Sequence, residues 1–159
     1  MLEIKIIAVG NMKEQYYREA CAEYHKRLGA FGRVEMCELK ETRLPEDPSP
    51  SQITAALSDE AEKIRAAIPP RAYVVALCVE GKSFSSPALA ERIEGAMGTH
   101  SSLCFIIGSS FGLDEEIKRS ADLRLSLSEM TFPHRLFRVM LYETIYRSFS
   151  IIKGMKYHK

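Results

Sequence analysis

Residues 102–113 read SLCFIIGSSFGL: an apolar run, unbroken from Leu103 to Ile107, that stops at Gly108 and turns through two serines to Gly112. A strand whose alternating side chains are all apolar has to be covered on both faces, as in a parallel sheet carrying helices above and below. AYVVALCV at 72–79 is a second run of this kind. LEIKIIAV at 2–9 reads as the first strand, and RVEMCEL at 33–39, with its period of two, as a half-exposed one. DLRLSLS at 122–128 supplies a fifth.

Helical spacing fills the intervals. Tyr16/Tyr17, Ala20/Cys21, Tyr24 and Leu28 mark a helix over 12–29, ended by Gly29 and Gly32. KETRLPEDPSPSQ at 40–52 reads as a mobile loop. Ile53, Leu57, Ala61, Ile64 and Ile68 mark a second helix closed by Pro69-Pro70, and Pro87 opens a third behind Ser85/Ser86. LDEEIKRSA at 113–121 is a short helix, and a long one runs from Pro133 to Phe149. Strands and helices in alternation, joined by short connections, define an α/β fold with a mostly parallel sheet and flanking helices. With 159 residues, 46% of them hydrophobic, the expectation is a single domain over 1–159.

Composition narrows the function classes. No apolar run approaches the ~20 residues of a membrane span. Glu3 and Lys5 interrupt the place where a secretion signal would be continuous, so a cytoplasmic protein with no membrane partner is expected. Four scattered cysteines, Cys21, Cys37, Cys78 and Cys104, carry neither metal-ligand spacing nor a disulfide framework, so no metal site is expected. The net charge of +1 argues against a protein that coats DNA or other nucleic acid along its whole surface. The charge is unevenly spread: Pro133–Lys159 holds six Lys/Arg against the single acid Glu143.

Three stretches carry chemistry. EGKSFSS at 80–86 lacks the first glycine of a phosphate-binding loop, since Ala76 stands at that position, and reads as an ordinary turn. FIIGSSFGL at 105–113 is either a tight turn or a loop where a ligand approaches bare backbone. LSLSEMTFPHRLFRV at 125–139 offers the hydroxyls of Ser126, Ser128 and Thr131 with the amides of Glu129 and Met130, expected near a helix N-terminus. A neutral adenosine-like group fits there between Met130 and Phe132; capping of the helix is the plainer use. His134, Arg135 and Arg138 then share about 100° of the following helix, a basic face that is either functional or merely solvated. The rest of that helix is too apolar for a monomer's surface, which implies burial or a subunit interface. In the tail, KGMKYHK, basic residues flank Tyr157, as suits phosphate contact with base stacking; a frayed terminus is the alternative.

Together, FIIGSSFGL and LSLSEMTFPHRLFRVMLYETIYRSFSIIKGMKYHK closely resemble the bacterial ribosomal RNA large subunit methyltransferase H family, small members of the SPOUT class. The likeness runs from IKIIAVGNMK to the terminal YHK. It implies an α/β knot, with the C-terminal segment threaded as a trefoil knot, and an obligate homodimer. It also implies transfer of a methyl group from S-adenosylmethionine to N3 of a pseudouridine in 23S rRNA of the assembled 70S ribosome. By position, Leu77, Gly108, Leu127, Ser128, Glu129, Met130, Thr131 and Phe132 are expected to bind the cofactor. Ser109 departs from the usual glycine pair of the family and takes no assigned role. His134 and Arg138 are nominated to accept the imide proton or stabilise its anion, and Arg135, Lys156, Tyr157 and His158 to contact RNA. Two other readings stay open: a ribosome-binding factor without transfer activity, and a SPOUT enzyme acting on tRNA.

Overall fold

The computed structural model describes all residues, Met1–Lys159. Along the chain it runs β1 (Glu3–Val9), α1 (Gln15–Leu28), β2 (Arg33–Leu39), α2 (Pro50–Ala67), β3 (Tyr73–Lys82), α3 (Ser86–Met97), β4 (Ser102–Ile107), α4 (Glu115–Ser120), β5 (Leu123–Leu125) and α5 (His134–Ile152). The strands form one sheet in the order β2-β1-β4-β3-β5, and every pairing is parallel. All strand C-termini therefore lie along one edge, where the loops that follow them collect.

The apolar runs are buried because the sheet is covered on both faces. Every residue of β4 is buried. Ile4, Ile6 and Ala8 of β1 point into a core shared with Leu89 and Ile93 of α3 and Tyr142, Ile145 and Phe149 of α5, with Leu28 of α1 completing it. Ile7 and Val9 point the other way, onto Ala61 and Ile64 of α2 and Ile117 of α4. Each such aliphatic or aromatic side chain, fully buried, contributes about 1.5–3 kcal/mol, so an unpaired polar residue within Leu103–Ile107 would be costly. No helix is long and apolar enough to cross a membrane.

Several boundaries differ from the sequence reading. Helix α1 starts at Gln15 rather than residue 12, because Glu14 is extended and its side chain makes no cap. Helix α2 starts inside the expected loop, where Ser49 accepts from the Gln52 amide and the Gln52 side chain answers the Ser49 amide, a reciprocal capping box. Strand β3 continues through Glu80-Gly81-Lys82, which pairs again with Leu125 after a register shift, in place of the expected turn. Strand β5 is only three residues long, and α5 continues past Phe149 to Ile152. The amides of Glu129 and Met130 consequently lie in a loop ahead of α5, not in its first turn.

Candidate active site

Three neighbouring strand ends, those of β3, β4 and β5, deliver three loops around a cleft of about 480 Å³. That size is ordinary for a small organic ligand. Ten of its 20 lining residues are hydrophobic, which suits a ligand with apolar faces and a few polar edges.

The β4 loop is shaped by close backbone approach. The Ser109 carbonyl accepts from the Gly112 amide at 2.8 Å, folding the loop back on itself. A Cβ on Gly108 would collide with the Gly112 carbonyl, and Gly112 itself has φ +91°, so both positions require glycine. The loop after β5 is held by its own hydroxyls. Ser126 Oγ donates to the Ser128 carbonyl at 3.0 Å, and Ser128 Oγ accepts from the Met130 amide at 2.9 Å. These local bonds replace strand pairing and explain the early end of β5. They leave Met130 67% exposed beside the cleft, near exposed Phe132, Val79 and Phe111. Four large apolar side chains around one opening mark a place that something covers.

Of the residues expected at a cofactor site, Leu77, Gly108, Leu127, Ser128, Met130, Thr131 and Phe132 all line this cleft, and Glu129 does not. Sequence reading missed the β3 end, Cys78 to Glu80, together with Phe111 and Phe137. Phe111 was discoverable as a large aromatic between two turn glycines. At the rim, Lys118 bridges Glu80 and Glu115 and holds the Glu80 carboxyl below its usual range.

His134, the first residue of α5, lines both this cleft and a second chamber of about 360 Å³. Its Nε2 is buried and has no partner. Burial pushes the imidazole pKa below its ordinary value, the Arg138 cation adds to that, and Glu41 and the Val9 backbone oppose it. The ring is neutral at physiological pH, so Nε2 is able to present a lone pair. Gly10, at φ +110°, keeps the space beside it open: a Cβ there would stand 3.5 Å from His134 Nε2.

Both arginines are ion-paired, and Arg138 is buried as well. Arg138 is 3% exposed, donates to Glu38 at 2.6 Å and to the Gly10 carbonyl at 3.0 Å, and does not line the cleft. It acts on the site through His134. Arg135 pairs with Glu14 at 2.6 Å and lines the second chamber. The tail is docked rather than frayed: Tyr157 donates to Glu143 at 3.0 Å, lies edge-on to Tyr146, and carries Arg147 over its ring. His158 Nδ1 sits 3.2 Å from Arg147 Nη1. Lys156 is exposed, and none of the three lines the cleft.

A parallel α/β sheet whose last three strand ends build a loop-lined cleft, with a helix starting at its mouth, is the frame of a SPOUT methyltransferase. The family model described as "Predicted SPOUT methyltransferase" matches residues 2–158. Among curated relatives, "Ribosomal RNA large subunit methyltransferase H" of Streptococcus suis is 43% identical over 99% of this chain and 100% of its own length. The protein of that name from Carboxydothermus hydrogenoformans is 44% identical with the same coverage. The chain belongs to the ribosomal RNA large subunit methyltransferase H family, within the SPOUT class.

Solved structures agree at the level of fold. A probable methylase family protein from Haemophilus influenzae superposes with a TM-score of 0.54 at 14% identity, over 100% of this chain and 72% of that one. A structure described as "Structural insights into the 2-OH methylation of C/U34 on tRNA" gives 0.54 at 16% identity, over 96% of this chain and 98% of that one.

Proposed function

We propose that this protein methylates N3 of a pseudouridine in 23S rRNA of the assembled 70S ribosome, with S-adenosylmethionine as methyl donor. On this reading it works in the cytoplasm as a homodimer of single-domain chains, each with the C-terminal trefoil knot of its class. The observation that carries the chemistry is the buried, unpartnered Nε2 of His134 at the wall between the loop-lined cleft and the polar chamber.

The cleft fits the donor. Leu77, Leu127, Met130 and Phe132 offer apolar surface to a purine, while Gly108, Ser128 and Thr131 offer backbone and hydroxyl partners at its edges. Glu129 lies outside the lining. Glu80, kept ionised by Lys118, suits a cationic ligand at the rim. When bound, S-adenosylmethionine supplies an electrophilic methyl group on a positively charged sulfur.

The chain's own residues then have three tasks. The cleft aligns the acceptor nitrogen with the methyl group and excludes water. His134 Nε2 accepts the imide proton, because a neutral N3 has its lone pair delocalised into two carbonyls and is a poor nucleophile. Burial keeps His134 neutral and the Arg138 cation adds to this, while its buried charge favours the anion that forms as the proton leaves. Arg135, Lys156, Tyr157 and His158 contact the RNA, Lys156 by its free cation and Tyr157 and His158 by fixing the tail on α5.

The reading is tested by transfer of labelled methyl from S-adenosylmethionine to 70S ribosomes from a strain lacking this protein, beside free 50S subunits and bulk tRNA. Label confined to 70S 23S rRNA is expected. Label in tRNA, or cofactor binding with no transfer, overturns the substrate.

A further inference from the structure

The second chamber lies beside the cleft and shares His134 and Ser110 with it. Unlike the cleft it is polar, with Tyr16 and Tyr17 as the aromatic part of its wall and Asn11, Glu14, Glu41 and Arg135 around them. Four buried side-chain polar atoms in the molecule lack a partner, and two of them, His134 Nε2 and Glu14 Oε2, belong to residues lining this chamber. Leaving such an atom unpaired costs about 1–3 kcal/mol, so two beside one cavity point to a ligand that satisfies both.

The hydrogen-bonding character of these groups describes the ligand. His134 Nε2 is an acceptor. Arg135 follows it in sequence and spends Nη1 on Glu14 Oε1 at 2.6 Å, leaving further guanidinium N–H donors. Glu14 Oε2 is again an acceptor. Glu14 stands at the start of α1 without capping it, and lines the chamber beside Arg135. Two unpartnered acceptors and a guanidinium donor complement an edge that carries two N–H groups and a C=O. Pseudouridine has that edge in N3–H, C2=O and N1–H, because its ribose is attached through carbon. Uridine does not, since its N1 carries the ribose. The carboxylates of Glu14 and Glu41 also make the chamber unsuitable for phosphate. Tyr16, 65% exposed, offers a face for a base swung out of its stack.

We propose, resting on the function argued above, that the chamber is the acceptor-base subsite and that Glu14 selects pseudouridine over uridine by accepting its N1–H. Glu14 is a specificity residue here and takes no part in proton removal from N3.

The test compares 70S ribosomes carrying pseudouridine at the acceptor position with ribosomes carrying uridine there, from a strain without the corresponding pseudouridine synthase. In Glu14→Gln the amide oxygen stays on Arg135, so the amide NH2 replaces Oε2 and meets the N1–H donor to donor. The ratio of kcat/KM for pseudouridine over uridine is expected to fall at least tenfold from its wild-type value, while calorimetry finds cofactor affinity within about twofold. Glu14→Asp, which keeps an acceptor, should recover part of the ratio. An unchanged ratio, or equal loss on both ribosomes, overturns the assignment of Glu14 and leaves the proposed function standing. Wild-type protein that methylates neither ribosome overturns that function, and this inference with it.

Discussion

Arg138 Nη1 donates to Glu38 Oε2 at 2.6 Å, joining α5 to β2 across 100 residues of sequence. The same guanidinium holds the Gly10 carbonyl, so one buried cation fixes the start of α5 against the ends of two strands. His134, one helical turn earlier, inherits its position from that anchor.

Removing the cation uncovers both partners. Arg138→Ala is expected to lower stability by about 1.5–3 kcal/mol in urea unfolding, the range for losing a charge-assisted hydrogen bond, because the Glu38 carboxylate left behind is 43% exposed and can turn to water. It should also raise the His134 pKa toward its ordinary value, since the Arg138 charge is one of the causes that lower it. Proton-detected titration of the His134 ring checks this; an unmoved pKa means Arg138 supports the fold alone.

The His134 shift sets a sign for activity. A depressed pKa keeps the ring neutral, and competent as a base, down to pH values below about 6.5. Single-turnover transfer should therefore be flat from about pH 7 upward and fall only below the usual histidine range. His134→Ala should lower the rate about 10²–10⁴-fold and abolish that acid limb. A wild-type rate in the variant across this range removes His134 from the chemistry.

The Gly108 turn permits a narrower test. Gly108→Ala places a methyl group against the Gly112 carbonyl, which must move and open the loop. Cofactor affinity is expected to drop at least tenfold in calorimetry, the loss of roughly 1.4 kcal/mol that a displaced cleft wall implies. Gly95→Ala, in open space on α3, serves as the control: glycine to alanine in a helix should stabilise by about 0.5–1 kcal/mol.

How far the sequence led differs from element to element. The apolar runs of β3 and β4 announced a covered parallel sheet because burial on both faces leaves no alternation. The start of α2 was also visible, as Ser49 followed by Gln52 in capping spacing, but the flanking prolines read more strongly as loop. The end of β5 was not legible. Ser126 and Ser128 carry strand spacing, and only the folded loop shows that their hydroxyls bond locally. The helical wheel put His134, Arg135 and Arg138 on one face, yet it had no means of finding Glu14 or Glu38, which sequence separates by more than 90 residues and only the sheet brings near. The site was legible where it is contiguous in sequence and hidden where β1 and α1 contribute to it.

Glu60 supplies the last prediction. It lies on α2, is 3% exposed, and accepts from the Thr42 amide through Oε2, while Oε1 has no partner. Burial raises its pKa, and the bond from Thr42, with the Ser109 hydroxyl nearby, only partly offsets this. A carboxyl raised on folding binds its proton more tightly in the folded chain, so its contribution is fully present below the unfolded value of about 4.3 and is lost as pH rises through the folded value. Glu60→Gln keeps an acceptor for Thr42 and removes the charge. The variant should gain on the wild type progressively as pH rises from about 4 to 8, and the gap should be smallest at the acid end. Urea midpoints at matched pH read the difference directly. A gap independent of pH would mean that Glu60 is already paired as a carboxylate, and a falling gap would mean that its charge holds the Thr42 loop in place.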